Sequence, residues 1–422
     1  MRTSNKGLRR GISLILCALA GVLVAPTNSS AVSPIALGDI YNNTSITTFE
    51  ISIPQQSVDA LAAHPKDFTA ATVRMLVGSK DSGVINLGVR FKGSTSLDTI
   101  AGRPSLKLKF NFVPGFRFLG LKNMTLNAMQ QDGSKLHEFG AYALFNAMGL
   151  PASKTGWARV YINGVDKGLY LNVETIDDIF ISKRFKDNTQ HLYEGVALKD
   201  FKPGNADGDK NSGSFLVDEG WKKVPNKNDL NTMINALNTS DNAKWWARLN
   251  TYWNRAELIN HMAVENFLGH WDGYSGPIIN NYFVRSNAAG KFSMIPWGLD
   301  QTFGENRNPK IKGLTYSFSM LAPKVGFPWI SEMPGKPKTM DRGLLYQRCI
   351  AYTTCKVAYL KALKAVSAKA TSMKLVSKMK AAAALTKDLR TGLVAAVTTN
   401  TYQFVTNQQA AVTKLLKANG IK

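Results

Sequence analysis

Acidic residues are scarce in this sequence and cysteines scarcer: 422 residues carry 29 Asp and Glu against 52 Lys and Arg, with only three Cys. The shortage of acids leaves a formal charge of +23, a balance that favours contact with anions such as nucleic acid, acidic membrane surface, or phosphorylated and acidic substrates. Nucleic acid is not the expected partner, because no zinc-finger spacing, no basic region with heptads and no basic-aromatic run accompanies the charge. Few cysteines exclude a disulfide scaffold, and five scattered His with no Cys pair at zinc spacing argue against a zinc centre. Also missing are a GxxxxGK[ST] phosphate loop, a GxGxxG turn after a strand, an HExxH helix and a GxSxG elbow. Charged residues make up 19% and hydrophobic residues 44%, which excludes a disordered chain, and 34 Gly with 16 Pro are too few for collagen-like or linker-dominated sequence. The chain is long enough for two or three domains or one bilobal unit.

Residues 1–31 have the pattern of a signal peptide: Arg2, Lys6, Arg9 and Arg10, an apolar run from Gly11 to Ala25, then Ser29-Ser30-Ala31. The apolar run falls short of the roughly 20 residues that a membrane-spanning helix needs. An exported protein is expected. In an oxidising compartment Cys349 and Cys355, six positions apart, are close enough in sequence to close a short loop.

From residue 32 to about 195 strand signals dominate. Ile85, Leu87, Val89 and Phe91 alternate with period two, and Leu106, Leu108, Phe110 and Phe112 do so again with Lys107 and Lys109 on the opposite face. Residues 134–148 have helical spacing after a candidate Ser134 cap, and Asn163-Gly164 reads as a hairpin turn between two apolar runs. Residues 199–214 read as a polar surface insertion. Residues 196–422 are mainly helical, interrupted by the Gly-, Pro- and Asn-rich tract 270–340. The order, β-rich then α-rich, predicts an α+β protein of two lobes. Residues 356–422 carry twelve Lys or Arg against one acid, Asp388. This basic stretch is either a solvated helical face over an apolar stripe or a docking surface for an acidic partner or polyanionic cell-wall material.

The residues with the best claim to chemistry are Asp272, Asn280, Asn281 and Asp300. Asp272 closes a helical pattern and opens a glycine-rich loop reaching both Asn, while Asp300 follows the strand signal Phe292-Ser293-Met294-Ile295. Two carboxylates and an amide at neighbouring loop and strand ends suit Mg²⁺ with phosphate, because Mg²⁺ takes hard oxygen ligands and keeps water and phosphate oxygens; Mn²⁺ accepts the same set. The competing reading is that these side chains satisfy turns. Asp207-Gly208-Asp209 resembles a calcium loop in spacing, but Ser212 stands where such a loop needs Gly, so a plain turn is expected.

The runs Val89-Arg90-Phe91-Lys92-Gly93-Ser94-Thr95-Ser96, Pro104-Ser105-Leu106-Lys107-Leu108-Lys109-Phe110, Phe118-Leu119-Gly120-Leu121-Lys122, Val160-Tyr161-Ile162-Asn163-Gly164 and Ile295-Pro296-Trp297-Gly298-Leu299-Asp300 together resemble the spore coat protein H (CotH) kinase family. The resemblance implies an atypical protein-kinase-like bilobal fold that transfers the γ-phosphate of ATP to Ser or Thr of exported proteins. It implies that Lys107 reaches the nucleotide phosphates with Gly93 and Ser94 beside them, and that Glu138 or Glu174 orients that lysine. Asp272 would orient the acceptor hydroxyl, and Asp300 with Asn280 or Asn281 would hold metal. Two departures stand out. The amides lie eight and nine residues after Asp272 rather than five as in common kinases, and Gly298 stands where many family members carry Asp. If that carboxylate were essential, the chain would be a non-catalytic surface or coat protein using the fold to bind.

Overall fold

The computed structural model describes residues 33–93, 96–304, 319–326, 339–390 and 395–422. The leader expected over 1–31, and Ser94 with Thr95, lie outside the described residues. The first part of the chain forms one sheet of β1 (Ser33–Pro34), β2 (Ile46–Ser52), β3 (Thr69–Val77), β4 (Lys80–Lys92), β5 (Ser105–Lys109), β6 (Asn123–Asn127), β7 (Thr155–Ile162) and β8 (Val165–Val173). Their order is β1-β4-β3-β2-β7-β8-β6-β5, and β5 pairs back onto β4, so the sheet closes on itself. Inside it lie Val89, Phe91, Leu106, Leu108, Met124, Leu126 and Val160. The alternation that buries these residues sends Arg90, Lys92 and Lys107 to the outer face, with Arg90 directly opposite Lys107 in the ladder. The turn at Asn163-Gly164 has φ of 49° and 79°, the left-handed pair that a two-residue hairpin needs.

Three local expectations are corrected. The strand through Phe112 stops at Lys109, because Phe110–Phe112 turn into a single 3₁₀ turn that leaves Phe112 40% exposed. The helix expected from Ser134 is His137–Ala147, and its start is held by Asp132, which accepts from the backbone N–H of Ser134, Lys135 and His137. Residues 199–214 are more than a surface insertion: Phe201 is buried among Phe215, Trp253, Tyr274 and Tyr282. Asp209 makes an ordinary turn with Asn211 and Ser212.

A smaller antiparallel sheet follows in the order β10-β9-β11-β12, made of β9 (Leu192–Gly195), β10 (Phe215–Glu219), β11 (Tyr282–Ser286) and β12 (Phe292–Pro296). Around it pack the helices Asn228–Leu237, Asn242–Tyr252, Arg255–Leu268, Leu344–Ala351, Thr353–Ser372, Leu375–Leu385 and Ala395–Ala418. They share one core with His137–Ala147 and with Trp157, Leu169, Leu171 and Val173 of the large sheet. Cys349 and Cys355 are bonded, tying the end of one helix to the start of the next. Among the described residues no helix is long and apolar enough to cross a membrane.

The basic C-terminal helices are therefore not an appendage. Tyr359, Leu360, Leu363, Val366, Leu375 and Met379 are buried in the main core, while Lys361, Lys369, Lys374, Lys378 and Lys380 are exposed. Leu363→Ala is expected to cost about 2–5 kcal/mol through the cavity it leaves, whereas Lys369→Ala should stay within about 0.5 kcal/mol of the parent. Urea unfolding of the two variants checks this; equal stabilities would place the helices outside the core.

Candidate active site

A cleft of about 420 Å³ opens between the outer face of the closed sheet and the smaller sheet with its loops. From the first side Lys66, Arg90, Lys92, Gly93, Lys107 and Asn127 line it; from the other come Glu194, Asp272, Asn280, Asn281, Trp297 and Asp300. Of the expected residues, Gly93, Lys107, Asp272, Asn280, Asn281 and Asp300 thus meet in one place. Glu138 lies just beneath, accepting from Asn127 Nδ2 at 2.6 Å.

Glu174 does not belong to the site. Its carboxylate is taken by Arg184, at 2.5 and 3.2 Å, and by the Lys154 N–H at 3.1 Å. Lys107 makes no ion pair with Glu138. The positive charge that opposes the raising of both Glu138 and Asp300 is Lys92, whose ammonium also sits 5.3 Å from the centre of the Trp297 ring. Trp297 is accordingly part of the cleft wall. Ser94 lies outside the described residues.

Asp272 reaches the cleft because Gly269, at φ 63°, ends the helix Arg255–Leu268 and turns the chain back. Its two oxygens accept from Asn281 Nδ2 at 2.7 Å and Asn280 Nδ2 at 3.3 Å, so the longer loop does bring both amides to the carboxylate. Asp300 follows β12, and its backbone carbonyl lies 2.9 Å from His137 Nδ1. His137 in turn reaches Thr401 of the C-terminal helix through Nε2 at 2.9 Å. Gly298 has φ 55°, and a Cβ there would stand 2.7 Å from the Asn281 carboxamide. A side chain at 298 and the present placement of Asn281 exclude each other, which is the structural consequence of the departure at that position.

Burial dominates the electrostatics. Asp272 is pushed up to about 8 by burial and further by Asp300, against the two amide hydrogen bonds. Burial also raises Asp300 and Glu138, and Asp300 pushes Glu138 further. On the opposite wall burial lowers Lys107 and Arg90, and Arg90 adds to the effect on Lys107. Glu194 and Asp218, raised by burial, supply a weak counter-field to Lys107. Among the described residues Arg90, Lys92 and Lys107 have no carboxylate within 4.0 Å. Carboxyls that burial makes costly to ionise thus face desolvated cations that make no ion pair with them.

Arg90 and Lys92 were open to prediction from the sequence. The alternation that marks Ile85 to Phe91 as inward places both on the face shared by Lys107. Glu194 gave no signal, since its position depends on a second sheet formed by strands far apart in sequence. No three His, Cys, Asp or Glu among the described residues are grouped as a protein-only metal cluster.

Comparison with known proteins agrees with the resemblance read from the motifs. The family profile described as CotH kinase protein matches residues 89–415, and the chain belongs to that family. Inner spore coat protein H of Bacillus subtilis (strain 168) is 26% identical over 193 residues, 45% of this chain and 52% of that protein. Invasin CotH2 of Rhizopus delemar (strain RA 99-880) is 26% identical over 200 residues, 43% of this chain and 32% of the relative. The matched segments thus span about half and about a third of these relatives. A Shewanella oneidensis MR-1 toxin–antitoxin structure of HipA, HipB and operator DNA aligns over 76% of this chain and 66% of its own at 11% identity, with a TM-score of 0.29, too slight a likeness to bear on the fold.

The raised carboxyls set a pH dependence. A carboxyl protonated to higher pH in the folded than in the unfolded chain gives the folded state more protons, so its stabilising effect is complete below about pH 4 and is lost as pH rises through the folded value. Asp272, with its folded value about 8, should make the metal-free protein less stable at pH 8 than at pH 5. Asp272→Asn should flatten that decline by at least about 1 kcal/mol. Thermal unfolding across pH 5–9 reads the slope, and parallel profiles for parent and variant would contradict a raised Asp272.

Proposed function

We propose that the protein is an exported protein kinase of the CotH type, which uses ATP with Mg²⁺ or Mn²⁺ to phosphorylate Ser or Thr of secreted, coat or cell-surface proteins. The observation that carries the reading is the facing of Arg90, Lys92 and Lys107 against Asp272, Asp300 and Glu138 across one cleft without direct ion pairs. Its volume, about 420 Å³, lies within the range of small-molecule sites. A polyphosphate with a divalent cation has the charges that neutralise both walls at once. The donor set fits such a cation, with carboxylate oxygens and amide oxygens on one wall. Asp300 and Asn280 or Asn281 would hold it, and when bound it would draw charge from the phosphate oxygens.

The chain's own groups do the rest. Arg90, Lys92 and Lys107 fix the phosphates by charge, and the backbone at Gly93 approaches closely because no side chain intervenes. Asp272 accepts the proton of the acceptor hydroxyl as the oxygen attacks the γ-phosphorus; the new O–P bond forms as the bond to the β-phosphate oxygen breaks, leaving ADP. The amides of Asn280 and Asn281 hold the Asp272 carboxylate in place. In this reading the two lobes belong to one kinase-like domain with the cleft between them, and the boundary expected after residue 195 falls earlier, because β9 (Leu192–Gly195) pairs in the smaller sheet. The expected leader and the names of the relatives, a spore coat protein and an invasin, support an exported location.

Gly298 favours a second reading, a non-catalytic surface or coat module on the same fold. The exposed lysines of helices Thr353–Ser372 and Leu375–Leu385 would then hold anionic cell-wall or coat material, with salt-sensitive retention. The two readings separate with labelled ATP and Mg²⁺. The kinase reading predicts labelling of the protein itself or an exported acceptor, reduced at least about 100-fold by Asp272→Ala or Asp300→Ala. Labelling that survives both substitutions would overturn this assignment of roles.

A further inference from the structure

The loop that carries Asp272 is wrapped around a buried carboxylate that none of the foregoing chemistry uses. Glu265, fully buried on the last turns of the helix Arg255–Leu268, accepts the Tyr274 N–H at Oε1, 3.0 Å, and the Ser275 N–H at Oε2, 2.8 Å. The Ser275 hydroxyl donates to Oε2 as well. His261 Nε2 stands 3.3 Å from Oε1 and His270 Nδ1 3.8 Å from it. Burial alone would raise the Glu265 carboxyl, but His261 and His270 outweigh it and hold it well below the usual range.

The intervening residue supplies an independent observation. A Cβ at Gly273 would run into Glu265 Oε1 and the His270 ring, so only glycine lets the backbone lie this close to the carboxylate. Asp272 is thus bonded directly to a residue pressed on Glu265 and followed by two residues hydrogen-bonded to it. Arg342 closes the far side, donating from Nε to the Ser275 carbonyl at 2.6 Å and from its guanidinium to Asn266.

We propose that Glu265 is the positioning residue for Asp272: the buried carboxylate fixes residues 273–275 and thereby aims the Asp272 side chain into the cleft. The role rests on the kinase reading. Glu265 lines no part of the cleft wall, so it acts on Asp272 and not on nucleotide. Two carboxylates seven residues apart therefore have separate tasks, one facing the reacting groups and one holding the loop.

The test combines Glu265→Gln, which offers an amide where two backbone donors need an acceptor, with the milder Ser275→Ala, which removes only the hydroxyl donor and guards against a variant that fails to fold. Each is made alone and in an Asp272→Asn background, and ATP–Mg²⁺ affinity and the phosphoryl-transfer rate are measured. Expected are transfer rates at least tenfold lower for Glu265→Gln and severalfold lower for Ser275→Ala. Nucleotide affinity should stay within about twofold, and neither change should cost anything further once Asp272 is Asn. Parental rates, or losses that multiply with that of Asp272→Asn, overturn the proposal. If the parent transfers no phosphate, the kinase reading fails, and hydrogen exchange of residues 270–277 decides the anchor by itself. Exchange raised at least tenfold in that segment alone upholds it; unchanged exchange rejects it.

Discussion

A wall of cations faces a wall of buried carboxyls across a single cleft, and the packing behind each wall holds it in place. Three cations on one wall stand without a carboxylate within ion-pair distance, and three carboxyls on the other are pushed toward the neutral form by burial. Left alone, such an arrangement is unfavourable, since desolvated charges destabilise a fold unless something compensates them. It persists because each wall is fixed by elements whose own packing is strong. The closed sheet sets the cations: burying Val89 and Phe91 inside forces Arg90 and Lys92 outward, and the ladder register places Lys107 beside Arg90.

The acidic wall is fixed differently, by anchors behind it. Asp272 sits on a loop folded around Glu265, and Asp300 sits on a loop whose carbonyl meets His137. His137 links that loop to Thr401, while Phe303 packs edge-on against Phe404 of the same C-terminal helix. The basic helices at the end of the chain thus buttress the site from inside while presenting lysines outside. Their charge and their packing are separable properties, because the two sets of side chains occupy opposite faces.

Patterns that depend on local chemistry were legible in the sequence. Period-two alternation found β4 and β5, the Asn163-Gly164 turn needed only its left-handed preference, and the α+β order followed from where apolar periodicity changes. Asp272, Asn280, Asn281 and Asp300 were found because polar residues beside glycine and aromatic residues are hard to explain as surface. What could not be read was partner choice. Glu174 looked as available as Glu138, yet Arg184, one helix later, claims it. Lys107 was favoured over Lys92 by motif position, although the fold places Lys92 where its charge acts on the acidic pair. Glu265 carries no signal in the sequence, since its contacts come from a loop that returns to it ten residues later. The helix start failed for a related reason: the first helical N–H, that of His137, goes to Asp132 five residues earlier, while Ser134 accepts from Leu136 ahead of the helix.

The central claim is that phosphate and a divalent cation together neutralise the two walls. Calorimetry of residues 32–422 with ATP, with and without Mg²⁺, beside Asp300→Ala and Lys92→Ala tests it most directly. The account predicts metal-dependent binding, abolished at Asp300 and weakened at least about tenfold at Lys92, a loss of about 1.4 kcal/mol. Absence of binding in every condition, or binding indifferent to both substitutions, would contradict it.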